Sequence, residues 1–283
     1  VEEIRDRIRE SIDNEMSKKR NTVNQIPNTS GCSSYSSTFP SGPLLKDNMD
    51  YYTDAKDYLN EHYPEVTRGQ VFELDLKNKK LKGCLKVESF TNLETLKCSD
   101  NCLSSIDFPH NFEKLTTLEI KKNIFKDQSL SMFSGLVNLE NLDVSENKFI
   151  GSLEPLKDIK NLKNLNISKT YLEPTLEYTK NLIEFYCSCS NNDLTTLNLT
   201  NSTQLVKLDC SHNKLTELDI NKCSELVFLY CNNNLLKLLN LSHNEKLEEL
   251  NLASNNFYNQ NLSFLAHLTE LRRLELGENL GEK

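Results

Sequence analysis

Leucines and other apolar residues recur at regular intervals from residue 71 to the end of the chain. The recurring pattern is L-x-x-L-x-L-x-x-N-x-L, and the alternation at its positions 4 to 6 is typical of a short β-strand. Successive units start 20 to 24 residues apart. They begin at Val71, Leu93, Leu115, Leu139, Leu162, Leu182, Leu205, Leu226, Leu247 and Leu271. A repeat of this period predicts a solenoid in which each unit adds one strand to a parallel sheet.

The pattern also predicts which way each side chain points. Positions 4 and 6 are expected in the core, and positions 3, 5 and 7 on the concave face. The asparagine at position 9 is expected to turn the chain and to bond backbone groups that would otherwise be buried unpaired. It falls at Asn101, Asn123, Asn147, Asn213, Asn234, Asn255 and Asn279. Lys79 and Thr170 replace it in the first and fifth units, where we expect a weaker ladder.

These motifs resemble the leucine-rich repeat superfamily across residues 71–283. The resemblance implies an α/β solenoid with a curved parallel β-sheet on the concave side, a mixture of short helices and extended chain on the convex side, and a helical N-terminal cap. The segments "SLSMFSGLVN" and "SLEPLKDIKN" predict helical turns in the third and fourth units. The apolar segments "LTTLNL", "LTELDI" and "LLKLLNL" predict extended chain in units six to eight.

Four segments are predicted along the chain. Residues 1–25 place apolar side chains at helical spacing and predict an amphipathic helix, which either packs on a neighbouring segment or forms a coiled-coil contact. Residues 26–48 form a Ser/Pro-rich linker, residues 49–70 a helical cap, and residues 71–283 about ten repeats. The cap sequence "DAKDYLNEHYP", followed by "VFELDLKNKKLKG", resembles intracellular leucine-rich repeat proteins expanded in symbiotic soil fungi.

The nine cysteines lack the spacing of a disulfide framework or of a zinc ribbon. Cys98, Cys187 (or Cys189), Cys210 and Cys231 occupy position 6, where we expect small buried hydrophobic residues. The sixth unit allows two registers two residues apart, and in both of them Cys187 and Cys189 are expected to face inward. The alternative for this column is a thiol ladder that binds metal or becomes oxidised.

Charge and motifs narrow the classes of function. A net charge of −8 and a pI near 5.3 argue against a nucleic-acid partner. No apolar run of about 18 residues is present, so no membrane span is expected. Without a P-loop, a G-x-S-x-G, an H-E-x-x-H or a kinase signature, we predict no enzyme activity, no cofactor and no metal site. Six N-x-S/T sequons would permit glycosylation, but a reduced cytoplasmic location is favoured over secretion.

A candidate site lies among the concave positions of three consecutive units. Tyr186, Phe228 and Tyr230 are the aromatic residues at these positions, and they surround Asp209. Exposed aromatic residues often anchor protein interfaces. A carboxylate between tyrosines suits a partner's Lys or Arg whose stem lies across the rings. The alternative is that the rings pack on one another and shield the sheet. The predicted partner-binding residues are Glu184, Tyr186, Lys207, Asp209, Phe228 and Tyr230.

Together these observations predict a non-catalytic protein–protein interaction module. It would act as an intracellular signalling adaptor or recognition domain and bind a protein or peptide, with a basic segment favoured, through its concave face. Two alternatives are the regulatory region of a larger enzyme such as a protein kinase, and an extracellular receptor-type ectodomain.

Overall fold

The solenoid occupies most of the chain that the structure describes. This computed structural model describes residues 51–109, 112–189, 194–257 and 262–277. The predicted helix at 1–25, the linker at 26–48 and Asn279 lie outside the described residues.

The first described elements fall within the range predicted for the cap. They are β1 (Thr53–Asp54), α1 (Ala55–His62) and α2 (Glu65–Arg68). Asp54 caps α1 because its Oδ1 accepts from the Lys56 N–H at 2.9 Å. Ala55 and Leu59 are buried in the core, so one face of the helix packs on the first repeat.

Ten parallel strands form the concave sheet, and they follow chain order from one edge to the other. The strands are β2 (Glu73–Asp75), β4 (Thr95–Lys97), β6 (Thr117–Glu119), β8 (Asn141–Asp143), β10 (Asn164–Asn166), β12 (Glu184–Tyr186), β13 (Lys207–Asp209), β14 (Phe228–Tyr230), β15 (Glu249–Asn251) and β16 (Arg273–Glu275). Neighbouring strands pair position for position, as in Leu118 with Leu142. The predicted parallel solenoid is therefore confirmed.

Six further strands form two side sheets, and five of them follow position 9 of the first five units. β1 forms a three-stranded parallel sheet with β3 (Leu81–Lys86) and β5 (Cys102–Asp107). A second such sheet contains β7 (Lys126–Gln128), β9 (Lys148–Ser152) and β11 (Tyr171–Glu173). The repeat pattern did not predict these side sheets.

The return segments, which run along the convex side from one concave strand to the next, change in secondary structure along the solenoid. Short 3-10 helices are present at Leu130–Phe133, Glu154–Leu156, Leu176–Tyr178 and Leu262–Leu265. The first two confirm the helical turns predicted in units three and four. In units six to eight the described return residues form neither helix nor strand, and each segment still buries leucines such as Leu197, Leu218 and Leu239.

The turn after the concave strand has the same backbone conformation in the nine units whose position 8 the structure describes. At position 8, φ lies between 49° and 59° in nine units, at Asn78, Asp100, Lys122, Glu146, Lys169, Cys189, His212, Asn233 and Ser254. In eight of these units the position-8 N–H donates to the position-7 carbonyl of the next unit at 2.8–3.1 Å. Non-glycine residues rarely adopt this conformation, so inter-unit bonding holds it in place.

This turn corrects one sequence prediction. Cys189 lies at position 8 with φ 49° and is half-buried, because the sixth unit begins at Leu182. The prediction that Cys189 faces the core is wrong, whereas Cys187 is fully buried at position 6.

The predicted asparagine ladder is present. The Asn101 Nδ2 donates to the carbonyls of Leu76 and Cys98, each at 2.9 Å, and its Oδ1 accepts from the Leu81 N–H at 2.9 Å. In the fifth unit Thr170 is buried, and its hydroxyl donates to the Ile167 carbonyl at 2.6 Å. A hydroxyl group with one donor hydrogen replaces an amide group with two. Thr170 therefore makes fewer hydrogen bonds to neighbouring units than an asparagine would, and the ladder is weaker there, as expected.

Candidate interaction surface on the concave face

Three neighbouring strands bring all six predicted binding residues together. β12, β13 and β14 pair Tyr186 with Asp209, and Asp209 with Tyr230. The same register aligns Glu184, Lys207 and Phe228 in the row beside them. We call these six residues, Glu184, Tyr186, Lys207, Asp209, Phe228 and Tyr230, the aromatic cluster. Its three strands span roughly 10 Å.

Lys207 lies at the centre of the aromatic cluster. Its Nζ lies 5.1 Å from the Tyr186 ring centroid, 5.8 Å from that of Tyr230 and 6.0 Å from that of Phe228. At such distances an ammonium group is attracted to the ring faces. No carboxylate of the described residues lies within 4.0 Å of this Nζ. The lysine therefore separates the rings, and it occupies the place that the sequence analysis gave to a partner's basic side chain.

Phe228 is not a surface aromatic residue, which corrects a second prediction. It belongs to the concave face by register, but it is only 2% exposed. Its neighbours in the row, Lys207 and Glu249, are long side chains on the flanking strands, and long side chains can lie over apolar surface. Phe228 therefore supports Lys207 from beneath, and the two half-buried tyrosines keep the exposed ring surface.

Hydrogen bonds fix both tyrosines. The Tyr186 hydroxyl donates to Glu184 Oε2, and the Tyr230 hydroxyl donates to Glu249 Oε2 at 2.7 Å. Burial, reinforced by these carboxylates, raises the pKa of both tyrosines well above the usual range. Both hydroxyls therefore stay neutral at physiological pH, and they hold their glutamates in fixed positions.

Asp209 keeps one carboxylate oxygen available. Its Oδ1 accepts from the Ser211 N–H at 3.0 Å and from the Ser211 hydroxyl at 2.6 Å. Its Oδ2 has no hydrogen bond among the described residues, since those two are the bonds that this carboxylate makes there. This oxygen can therefore accept from a partner without breaking an internal bond.

The sequence analysis missed two residues that extend the cluster. Glu249 follows Phe228 in the row and receives the Tyr230 hydroxyl. Arg273 comes next, with its Nη1 4.0 Å from Glu249 Oε2 and its Nη2 2.6 Å from Glu275 Oε1. Their place at position 3 of the next two units was the signal that could have identified them.

The earlier concave units have a different surface, in which side chains bond one another across strands. Asn141 donates to the Thr117 hydroxyl at 3.0 Å, Asn164 donates to Asn141 at 2.6 Å, and Asn166 donates to Asp143 at 3.2 Å. Such a network leaves few free donors and acceptors for a ligand. The cluster is therefore the more suitable contact surface on this face.

The cysteines at position 6 are part of the core. Cys98, Cys187, Cys210 and Cys231 are completely buried, and the thiols of Cys98, Cys210 and Cys231 are free. Burial raises the pKa of Cys231 to about 12 and that of Cys210 well above its ordinary value. They behave as buried hydrophobic residues, as predicted. Within the described residues, no group of three or more His, Cys, Asp or Glu side chains could hold a metal ion.

Among the helices of the described residues, none is both long enough and apolar enough to cross a membrane. No protein-family model matches the chain.

Solved structures show the class of fold. The chain is similar to a leucine-rich repeat protein of Leptospira interrogans, with a TM-score of 0.63 and 21% identity over 76% of this chain and 63% of that one. It is also similar to the functional domain of InlJ from Listeria monocytogenes, described as including a cysteine ladder, with a TM-score of 0.59 and 24% identity over 77% and 56% of the two chains. The chain thus has the leucine-rich repeat solenoid fold.

Receptor proteins also resemble parts of the chain. The Arabidopsis receptor kinase HAESA, solved with the peptide hormone IDA and the co-receptor SERK1, gives a TM-score of 0.61 and 22% identity over 76% of this chain and 43% of that one. Toll-like receptor 2 of Ovis aries is 28% identical over 150 residues, which are 50% of this chain and 19% of the receptor. The chain therefore spans about a fifth of the length of this curated relative.

Proposed function

We propose that this chain is a non-catalytic recognition module that binds a protein or peptide segment across the aromatic cluster. The observation that carries the proposal is the fixed arrangement of Tyr186, Asp209 and Tyr230 across three strands. Half-buried rings with bonded hydroxyls lose little conformational freedom on binding, which favours affinity. Elsewhere on the face, the polar side chains of β6, β8 and β10 already bond one another.

The partner segment is proposed to be basic. Asp209, whose Oδ2 is free, is paired with both tyrosines in the strand register, and Glu184 and Glu249 add negative charge to the cluster. The net charge of −8 favours the approach of a positive segment. Because Lys207 already fills the space among the rings, the partner's cation would contact Asp209 from the solvent side and not lie between the tyrosines.

The cellular setting is a further part of the proposal. An intracellular adaptor is supported by the free, buried thiols and by the sequence resemblance to intracellular fungal proteins. The recognition region of a receptor is the alternative supported by the similarity to Toll-like receptor 2 and to a receptor kinase. Glycosidase treatment of the natural protein separates the two, because a shift in mass would contradict the intracellular adaptor.

A peptide-display selection on the immobilised protein tests the binding site. Selected peptides are expected to be rich in Lys and Arg and to lose affinity for the Asp209→Asn variant. Tyr230→Ala is expected to weaken binding by about 2 kcal/mol or more, as at an interface hot spot. Asn232→Ala, a change on the same face outside the cluster, is the matched control. Peptides without basic residues that bind both Asp209→Asn and Tyr230→Ala normally would refute the site.

A further inference from the structure

We propose that the chain has a second binding site, for a phosphate-bearing soluble ligand, on the segments that lead from the return side of units four to six into the concave strands. The site is independent of the aromatic cluster. Two neighbouring grooves mark it, of about 270 Å³ and about 600 Å³, and Lys160, Lys180 and Asn181 line both of them.

The first argument is the charge of the shared lining. Lys160 and Lys180 hold the same position in consecutive units, two residues before Leu162 and Leu182, so their backbones lie about 5 Å apart. Both side chains are exposed, and neither has a carboxylate partner within 4.0 Å among the described residues. Like charges at equal positions of adjacent units repel each other, and a bound anion would reduce that repulsion.

Other lysines enlarge the positive lining. Lys157 and Lys163 also line the grooves, and each is paired with a glutamate, at 3.4 Å and 2.9 Å respectively. Among the described lining residues Glu177 is the only acid. The lining therefore combines two ammonium groups paired with glutamates and two without a carboxylate partner, of which that of Lys160 donates to the Lys157 carbonyl. It is a positive site in a protein of net charge −8.

The second argument is a buried hydroxyl. Thr179 lines the smaller groove, is 5% exposed, and its Oγ1 has no hydrogen-bond partner among the described protein atoms. The same position is apolar in the preceding units, as at Leu136 and Ile159, and in the next unit it is Ser202, whose Oγ also has no partner among the described protein atoms. A buried hydroxyl normally finds a partner, and the Thr179 side chain would have to turn toward the groove before a phosphate oxygen beside Lys180 could accept from it.

A third groove provides the contrast. It has about 500 Å³, lies on the return side of units six to eight, and is lined by Glu217 and Asp219 without a lysine among its described residues. Among these three grooves, the two in the earlier units therefore have a lining that suits an anion, and the one in units six to eight has an acidic lining. Multiply charged phosphate suits it better than a carboxylate because several donors converge on one ligand.

Calorimetric titration of the full chain with inorganic pyrophosphate at low ionic strength tests the proposal. We expect saturable binding that weakens about tenfold or more in a Lys160→Gln/Lys180→Gln double variant. The matched control is Lys222→Gln/Lys237→Gln, which removes the same charge from exposed lysines on later return segments and is expected to bind within about twofold of the original chain. Thermal unfolding of each variant checks that the fold is intact.

Three outcomes decide the matter. No saturable heat with the original chain would overturn the proposal, and so would equal weakening in both double variants, because net charge alone would then explain binding. Selective loss in the Lys160/Lys180 variant would establish the site. A phosphoserine peptide and its unphosphorylated twin then identify the source: tighter binding of the phosphopeptide than of pyrophosphate assigns a peptide-borne phosphate, and weaker binding assigns a free one.

Discussion

Replacing Asn213 with alanine is expected to lower the free energy of unfolding by about 1–3 kcal/mol, from the hydrogen bonds that the side chain makes. Its Nδ2 donates to the carbonyls of Cys187 and Cys210 at 3.0 Å and of Ser211 at 3.2 Å, and its Oδ1 accepts from the Leu194 N–H at 3.3 Å. The residue is only 8% exposed, so solvent cannot readily replace these bonds.

The magnitude depends on which groups lose their last partner. The Cys210 carbonyl also accepts from Asn234 at 3.0 Å, and the Ser211 carbonyl also accepts from the Cys189 N–H at 3.1 Å, so both stay bonded. The Leu194 N–H loses the side-chain acceptor that it has in the native protein. One buried donor left without its acceptor, at about 1–3 kcal/mol, gives the expected loss.

Urea unfolding followed by circular dichroism measures this loss, with Asn232→Ala as the control. Asn232 is half-buried on the concave face, and its side chain makes no hydrogen bond among the described residues, so its removal should change stability by about 0.5 kcal/mol or less. The dependence of the free energy of unfolding on urea concentration should be the same for both variants. Equal losses at the two positions would refute the assignment of the ladder.

The remaining predictions concern the thiols, the aromatic cluster and the concave charge. Burial raises the pKa of Cys231 to about 12, so a thiol reagent at pH 8 should label half-buried Cys84 well before Cys231, and comparable labelling rates in the folded protein would contradict a buried column. Phe228→Ala should cost about 3–5 kcal/mol in urea unfolding because the ring is buried, and a loss below about 1 kcal/mol would show that the ring is a surface group. Burial is the main cause that raises the pKa of Glu119, so the native state binds the Glu119 proton more tightly than the unfolded state does. The free energy of unfolding should therefore fall as the pH rises from the ordinary pKa of a glutamate to the raised pKa of Glu119. Glu119→Gln should flatten that part of the stability curve measured by thermal unfolding, and an unchanged curve would contradict the assignment.

The repeat period allowed the strands and their register to be predicted before the structure was known. Leucine spacing sets which residues alternate between the core and the concave face, and stacking then places equal positions side by side. For this reason the pairing of Tyr186, Asp209 and Tyr230 and the burial of Cys210 and Cys231 were correct. The pairing and the burial both follow from the pattern within one unit, repeated by stacking from one unit to the next.

The turn conformation and the side sheets needed the structure. Position 8 contains residues as different as Lys122, Glu146 and His212, so no residue preference indicates a left-handed turn. Its conformation is fixed by an N–H that must reach the next unit's carbonyl. The sequence left two registers open around Cys189, and the same bond, to Ser211 at 3.1 Å, settles which one forms.

The face to which a side chain points and its exposure to solvent are different properties, and the sequence determined only the first. Alternation places Phe228 on the concave face, but whether its ring contacts solvent depends on how the long side chains of Lys207 and Glu249 lie on adjacent strands. The rotamers of Lys207 and Glu249 depend on aromatic rings and carboxylates that belong to several units, so the sequence of one repeat does not determine them. The sequence thus determined the solenoid and the membership of the aromatic cluster, while the tertiary structure decided that the Lys207 ammonium lies close to the three rings and which of these rings stay exposed.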